Sequence, residues 1–303
     1  MRDPTPGTRA AQPLRGAPPQ KPTSENTMLH VEATERRLAV FRSGLRDSLV
    51  TQRAEADTRP YLHPLLAPDG VGVLTEDAPP HHSWQHGLYV GLNDVNGVGF
   101  WTEGPNDGTF HPKPLAPPVV DGKTVRWTVE TAWRTPGRTP LLTEDQTWTL
   151  RDHGDTHYTL DLDWRLLADV NVTFGPYAYG GLFLRMPYRP DRGGTAINSE
   201  GRMNTEAEAQ RARWCAVEMP VEGRNDPAGI ALLDHPANPE HPVPWRVDNQ
   251  LGIAPSRCIA GAWHLAEGET ARFRHRTLVF RGPIDTDNIE AEWQAFAAQE
   301  PMS

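Results

Sequence analysis

Residues 79–101 read Pro-Pro-His-His-Ser-Trp-Gln-His-Gly-Leu-Tyr-Val-Gly-Leu-Asn-Asp-Val-Asn-Gly-Val-Gly-Phe-Trp, with three histidines in six positions: His81, His82 and His86. Gln85, Asp94 and Asn96 lie close by, and Trp84 and Trp101 add flat apolar faces. Imidazoles exchange protons near neutral pH and also ligate metals. Amides and carboxylates beside indoles suit a polyhydroxylated ring, whose hydroxyls take hydrogen bonds while its C–H faces stack. Two chemistries are therefore open. In the first, His82 and His86 act as an acid/base pair on a sugar. In the second, they are metal ligands, because a spacing of four places two rings on one helix face. Pro79-Pro80 before them and Gly87 after them leave room for one helical turn at most. Zinc would also need a third ligand. His63, Asp94 or His235 would serve, but no spacing demands it. Acid/base work is the favoured reading. No cofactor is expected, and a bound metal is the alternative.

Further candidates lie along the chain. His63 sits between Leu62 and Pro64 at the end of an expected strand, where a cleft mouth would be. Asp234-His235-Pro236-Ala237-Asn238 follows the apolar run Ile230–Leu233, so His235 would be released at a strand end as a third catalytic group. Arg185 interrupts the apolar run Leu182-Phe183-Leu184 and needs a partner or a ligand. Tyr179, in a Gly- and Pro-containing loop, would close over a ligand. Trp84 and Trp245 are candidate stacking platforms, and Gln85 and Asp94 are candidate hydroxyl partners. Asp94-Val95-Asn96-Gly97 is also a turn signal in its own right. Glu144, near the start of an expected strand, is a weaker candidate for a general base.

The elements that must hold these residues follow a period of two. Val125, Trp127 and Val129 alternate with Arg126, Thr128 and Glu130, and Tyr158 to Leu166 alternates likewise. This pattern marks half-buried antiparallel strands. Further strands are expected at 29–33, 38–42, 146–151, 181–187, 213–219, 229–234, 261–266 and 271–281. Helix is expected only at Asn204–Ala212 and Thr286–Ala298, the second with Ile289, Trp293 and Phe296 at helical spacing. The fold class is all-β: a large antiparallel sandwich over residues 28–303 with a short C-terminal helix, preceded by a disordered polar tail at 1–27.

Composition narrows the function. A net charge of −9 argues against nucleic-acid or anionic-membrane partners. No stretch reaches the length of a membrane helix, and no apolar signal core follows the N-terminus, so a cytoplasmic location is the default. Cys215 and Cys258 are the only cysteines and form no Cys-x-x-Cys pair. Nucleotide-binding glycine motifs, a P-loop and a Gly-x-Ser-x-Gly elbow are all missing. Oligomeric state is not readable.

Several segments carry a resemblance. Arg59-Pro60-Tyr61-Leu62-His63-Pro64, His82-Ser83-Trp84-Gln85-His86-Gly87, Asp94 to Trp101, Gly180 to Arg185 and Gly229 to Asn238 resemble a bacterial family labelled "methane oxygenase PmoA". The resemblance spans roughly residues 29–297. It implies a fold similar to the supersandwich of galactose mutarotases and related carbohydrate enzymes. A membrane oxygenase subunit would require spanning helices, which this sequence does not encode, so the fold is taken from the resemblance and the label is not. The expected function is carbohydrate chemistry by proton transfer, of mutarotase, epimerase, lyase or hydrolase type. A small-molecule carbohydrate would be the partner. The alternatives are a non-catalytic sugar-binding module and a metal-dependent hydrolase or oxygenase.

Overall fold

The computed structural model describes residues 28–300, besides Met1. The expected disordered tail lies outside the described residues. Strands run where apolar and polar residues alternate, and the chain passes several times between two sheets. β1 (Leu29–Ala33), β2 (Arg37–Arg42), β3 (Val50–Arg53), β4 (Tyr61–Leu65), β5 (Leu88–Val95) and β6 (Val98–Phe100) build the first sheet. β7 (Thr109–Pro112), β8 (Val119–Asp121), β9 (Thr124–Arg134), β10 (Pro140–Asp152) and β11 (His157–Ala168) build the second. The chain returns to the first for β12 (Val172–Phe174) and β13 (Gly181–Leu184), then crosses for β14 (Thr195–Asn198), β15 (Trp214–Met219) and β16 (Ala228–Asp234). β17 (Trp245–Val247), β18 (Ile253–Pro255) and β19 (Trp263–Leu265) complete the first sheet at eleven strands. β20 (Thr270–Arg281), between β16 and β11, completes the second at nine.

The protein is thus an all-β sandwich of two large antiparallel sheets. Inward side chains of β5 (Leu88, Val90, Leu92) and β13 (Leu182, Leu184) meet Trp127, Trp148, Leu160 and Trp164 of the second sheet in one core. Burying each such side chain contributes roughly 1.5–3 kcal/mol. A short helix, α1 (Arg257–Ala260), precedes β19, and α2 (Thr286–Ala297) follows β20. The Asp285 side chain caps α2 by accepting from Asn288 N at 3.0 Å. α2 buries Ile289 and Phe296 against Leu233, Leu278 and Phe280 on the outer face of the second sheet.

The helix expected at 204–212 is one 3-10 turn, Asn204–Ala207. Its composition favours helix, but only Ala207 and Ala212 are buried, and positive φ at Asn204 (49°) and Ala209 (58°) breaks the run. Tertiary burial outweighs propensity in so short a segment.

A buried ion pair ties the two sheets together, and a buried carboxyl joins three strands of the second. Arg42, at the end of β2, donates to Asp152 at the end of β10, and also to the backbone oxygens of Pro68 and Gly154. Both side chains are essentially inaccessible. Glu144, on β10, faces the core and accepts from Trp133 Nε1 at 3.0 Å, Trp164 Nε1 at 2.7 Å and Gln146 Nε2 at 3.1 Å. The residue is fully buried and its oxygens are engaged, which corrects its reading as a general base. Burial pushes its pKa up to about 7, against the three donors.

Two outcomes follow. Arg42→Met leaves Asp152 buried without its partner and is expected to cost about 3–5 kcal/mol in urea unfolding. An unchanged midpoint would refute the cross-sheet role. Glu144 has a folded pKa above its unfolded value, so its contribution is complete below the ordinary glutamate range and is lost as pH rises through about 7. Relative to Glu144→Gln, the native chain is expected to lose up to ~3 kcal/mol of stability between pH 5 and pH 8. Parallel stability curves for the two proteins would exclude a titrating core carboxyl.

Candidate functional site

The histidine segment folds as an irregular hairpin leading into β5. Ala78 N donates to Gln85 O at 2.8 Å and Gly87 N to Glu76 O at 2.9 Å, so Asp77 pairs opposite His86. The chain beyond β13 runs alongside: Arg185 N donates to Gly87 O at 2.7 Å, and Glu76 N to Arg185 O at 3.0 Å. His82 N to Pro79 O and Gln85 N to His82 O close the tip. His82 therefore sits at the tip and His86 on an arm. Their spacing of four belongs to a hairpin rather than a helix. Gly87 permits this geometry with φ of 69°, and a Cβ there would lie 2.5 Å from Leu62 O.

The outer face of the first sheet receives what the core does not. On β4, Leu62 points inward, leaving Tyr61 and His63 outward. On β5, Tyr89 and Gly91 face outward between Leu88, Val90 and Leu92, and on β13 Phe183 does so between Leu182 and Leu184. Tyr89, Phe183 and Trp101 pack together there, with Tyr61, Trp84 and Tyr179 against them. Beneath Trp101 lies the Arg59 guanidinium, 4.5 Å from the Tyr89 ring centre and 5.1 Å from that of Phe110. It donates to Trp101 O at 2.5 Å. Gly91 makes room, since a Cβ would stand 3.0 Å from Phe100 O and 3.1 Å from the Trp101 ring.

One imidazole lies between two carboxylates at this site. His86 Nδ1 donates to Asp77 Oδ1 at 2.7 Å, and Nε2 lies 3.5 Å from Glu103 Oε2. Arg59 Nε lies 3.3 Å from the other Glu103 oxygen. Tyr61 stacks on His86 at 4.7 Å and donates to Asp77 Oδ2 at 3.2 Å. Burial works against the charged ring, but the bonds to Asp77 and Glu103 prevail and hold the His86 pKa above the ordinary histidine value. Burial likewise opposes ionisation of Glu103 and Asp77, yet His86 holds both below the usual carboxylate range, with Arg59 adding to the effect on Glu103. Nearby His63 goes the other way: burial lowers its pKa, and the charges of Arg53 and His86 add to that. His63 Nδ1 lies 2.9 Å from Thr75 Oγ1. Two imidazoles near one carboxylate thus have their pKa values pushed in opposite directions.

Of the residues expected from sequence, His63, Trp84, His86 and Tyr179 come together on this face, with Gln85 buried in the hairpin arm. His82 is edge-on to Trp84 at 5.4 Å at the tip, and burial, Arg185 and His81 lower its pKa. Arg185, expected to need a partner, has its Nε 3.2 Å from Glu76. Three candidates fall elsewhere. His235 is 3% exposed on the second sheet, bonded to Arg274 and Ala237 N and edge-on to Phe296. Burial and Arg274 lower its pKa to about 4. A ring kept neutral and enclosed by Arg274, the Ala237 amide and Phe296 is a structural histidine, because β16 ends beneath α2. Trp245 is fully buried, its Nε1 donating to Ala212 O at 2.8 Å, so neither face can receive a sugar. Asp94 accepts from Gly97 N at 2.9 Å as a turn residue. It lies five residues beyond Tyr89 along β5, roughly 16 Å away at strand rise. Arg59, Tyr61, Asp77, Tyr89 and Glu103 were not singled out from sequence. The one available signal was Tyr61 standing two residues before His63, hence on the same strand face. Among the described residues, no cluster of three or more His, Cys, Asp or Glu is arranged to hold a metal ion. No helix among them is long and apolar enough to cross a membrane.

The opposed shifts are observable. In an NMR pH titration of the ring protons, His86 is expected to titrate above the ordinary histidine value and His63 below it. Asp77→Asn should lower the His86 midpoint. A His86 midpoint unmoved by that change would exclude Asp77 as its principal partner.

No curated protein matches the chain. Among solved structures, it is similar to an alpha-galactosidase from Lactobacillus brevis, with a TM-score of 0.36, 12% sequence identity and 86% of this chain covered. The match spans 40% of that enzyme's chain. The oxygenase label of the sequence resemblance finds no support in these comparisons. Residues 29–294 match the model of a family described as of unknown function, DUF6807, and the chain belongs to that family.

Proposed function

We propose that the outer face of the first sheet binds a small carbohydrate and moves protons on it. The observation that carries this reading is the His86 ring held between Asp77 and Glu103, beside an aromatic wall of Tyr61, Trp84 and Tyr179. The aromatic faces suit the C–H face of a sugar ring, and the carboxylates and imidazoles suit its hydroxyls. Asp77 fixes the His86 ring through Nδ1. The charged ring keeps its Nε2 shielded from solvent and turned to Glu103 at 3.5 Å, so its proton reaches a ring or glycosidic oxygen through that carboxylate as the oxygen gains negative charge. Glu103, kept ionised by His86 and Arg59, accepts a proton from a sugar hydroxyl or an activated water. His63, its pKa lowered, is a second base within reach of the same ligand. His82, at the hairpin tip, orients hydroxyls.

The same machinery serves mutarotation, epimerisation, elimination and hydrolysis, which differ in the bond broken after the first proton moves. The test is a panel of aldoses, ketoses and glycosides followed by polarimetry and proton NMR, with the native chain beside His86→Gln. Loss of a positioned acid is expected to cost 10²–10⁴-fold in kcat, roughly, with folding preserved. Full activity in the variant would remove His86 from the mechanism. Sugar binding without turnover of any substrate would instead favour a binding module.

A further inference from the structure

We propose that the cleft beside the histidine hairpin takes an anionic group, a phosphate or a carboxylate, carried by the sugar. This rests on the sugar-binding reading above and names the substrate class for it. The cleft is about 520 Å³, within the range of small-ligand sites. Pro79, Pro80, His81 and His82 form one side, and Tyr188 and Arg189 the other. His82 thus faces both this cleft and, through Trp84, the aromatic wall of the His86 site.

Charge differs between the two halves. Around His86, Asp77 and Glu103 stand against Arg59 and the ring itself. In the cleft, one carboxylate serves two guanidiniums: Glu76 Oε2 lies 3.2 Å from Arg185 Nε and Glu76 Oε1 lies 2.7 Å from Arg189 Nη2. Among these three groups positive charge exceeds negative, and the next carboxylate whose charge is felt at the cleft is Asp248, acting on His82. Arg185 is 1% exposed, and its guanidinium is held between Glu76 and His81, both of which line the cleft. Its Nη1 has no hydrogen-bond partner among the described residues, and neither does the buried Nδ1 of His82. A buried guanidinium with an unspent donor is costly unless an acceptor arrives. Arg189, half-exposed on the cleft wall, presents a guanidinium that suits phosphate and carboxylate oxygens, with Arg185 buried behind Glu76 and His81. Around His86 the charges balance and suit neutral hydroxyls, whereas a charged substituent is attracted to the arginines. The ligand is thereby oriented end to end.

The experiment measures binding of neutral hexoses, their 6-phosphates, the matching uronates and inorganic phosphate to the intact chain by calorimetry. Arg189→Ala is compared throughout, because its side chain is half-exposed on the cleft wall, and circular dichroism checks that the variant is folded. Tenfold or tighter binding of a charged sugar over its neutral parent is expected, with the preference lost in Arg189→Ala. The phosphate and uronate arms tell which anion is read. Neutral hexoses that bind as tightly as charged ones, with turnover still dependent on His86, would overturn the anion cleft and leave the sugar site standing. A preference that survives Arg189→Ala would also overturn it. Phosphate binding that needs Arg189, with no sugar bound in any form, would overturn the sugar reading and this proposal together.

Discussion

The alternation of side chains along β5 is the constraint on which the rest depends. Leu88, Val90 and Leu92 enter the core, so Tyr89 and Gly91 must face the other way. Core and site are two faces of one register. A slip of one residue would drive the Tyr89 hydroxyl among leucines and put Leu88 beside Arg59. The apolar packing that stabilises the sandwich therefore also aims the polar and aromatic groups. β4 and β13 flank β5 and repeat the pattern, which is how Tyr61, Tyr89 and Phe183 come side by side.

Much of this architecture was legible in the sequence because burial writes itself into a period of two. β9 and β11 stand out for that reason, and α2 for its helical spacing of Ile289, Trp293 and Phe296. The site was legible in part. His86, His63 and Trp84 could be found because imidazoles and indoles are conspicuous in a polar segment. Asp77 and Glu103 could not. Carboxylates are common on surfaces, and only the hairpin pairing and the turn after Trp101 bring these two to opposite sides of one ring. Arg59 was hidden for the opposite reason: nothing local signals that an arginine will be buried under aromatic rings from three other segments. His235 misled because a polar triplet after an apolar strand says that the strand has ended, not which end of which sheet it occupies. Trp245 misled because an indole in a Pro-rich loop reads alike whether the loop covers the core or borders a cleft.

Electrostatics within the site depend on proximity more than on burial. Every member is partly desolvated, which alone would neutralise it. His86, Asp77 and Glu103 escape by mutual pairing, whereas His63, without a close carboxylate bond, does not. The same contrast runs through the whole molecule. Arg42 and Asp152 remain a pair in the interior, while Glu144, offered only neutral donors, is pushed toward its acid form.

The floor of the site has a cost that the fold does not recover by itself. The Tyr89 hydroxyl and Arg59 Nη1 are buried without a well-formed hydrogen bond to any described residue. Each such group typically costs on the order of 1–3 kcal/mol. Sequence drift toward internal satisfaction, such as a phenylalanine in place of Tyr89, would make the sandwich sturdier while blunting its outer face. Selection for robustness and selection for recognition therefore pull this one strand in opposite directions.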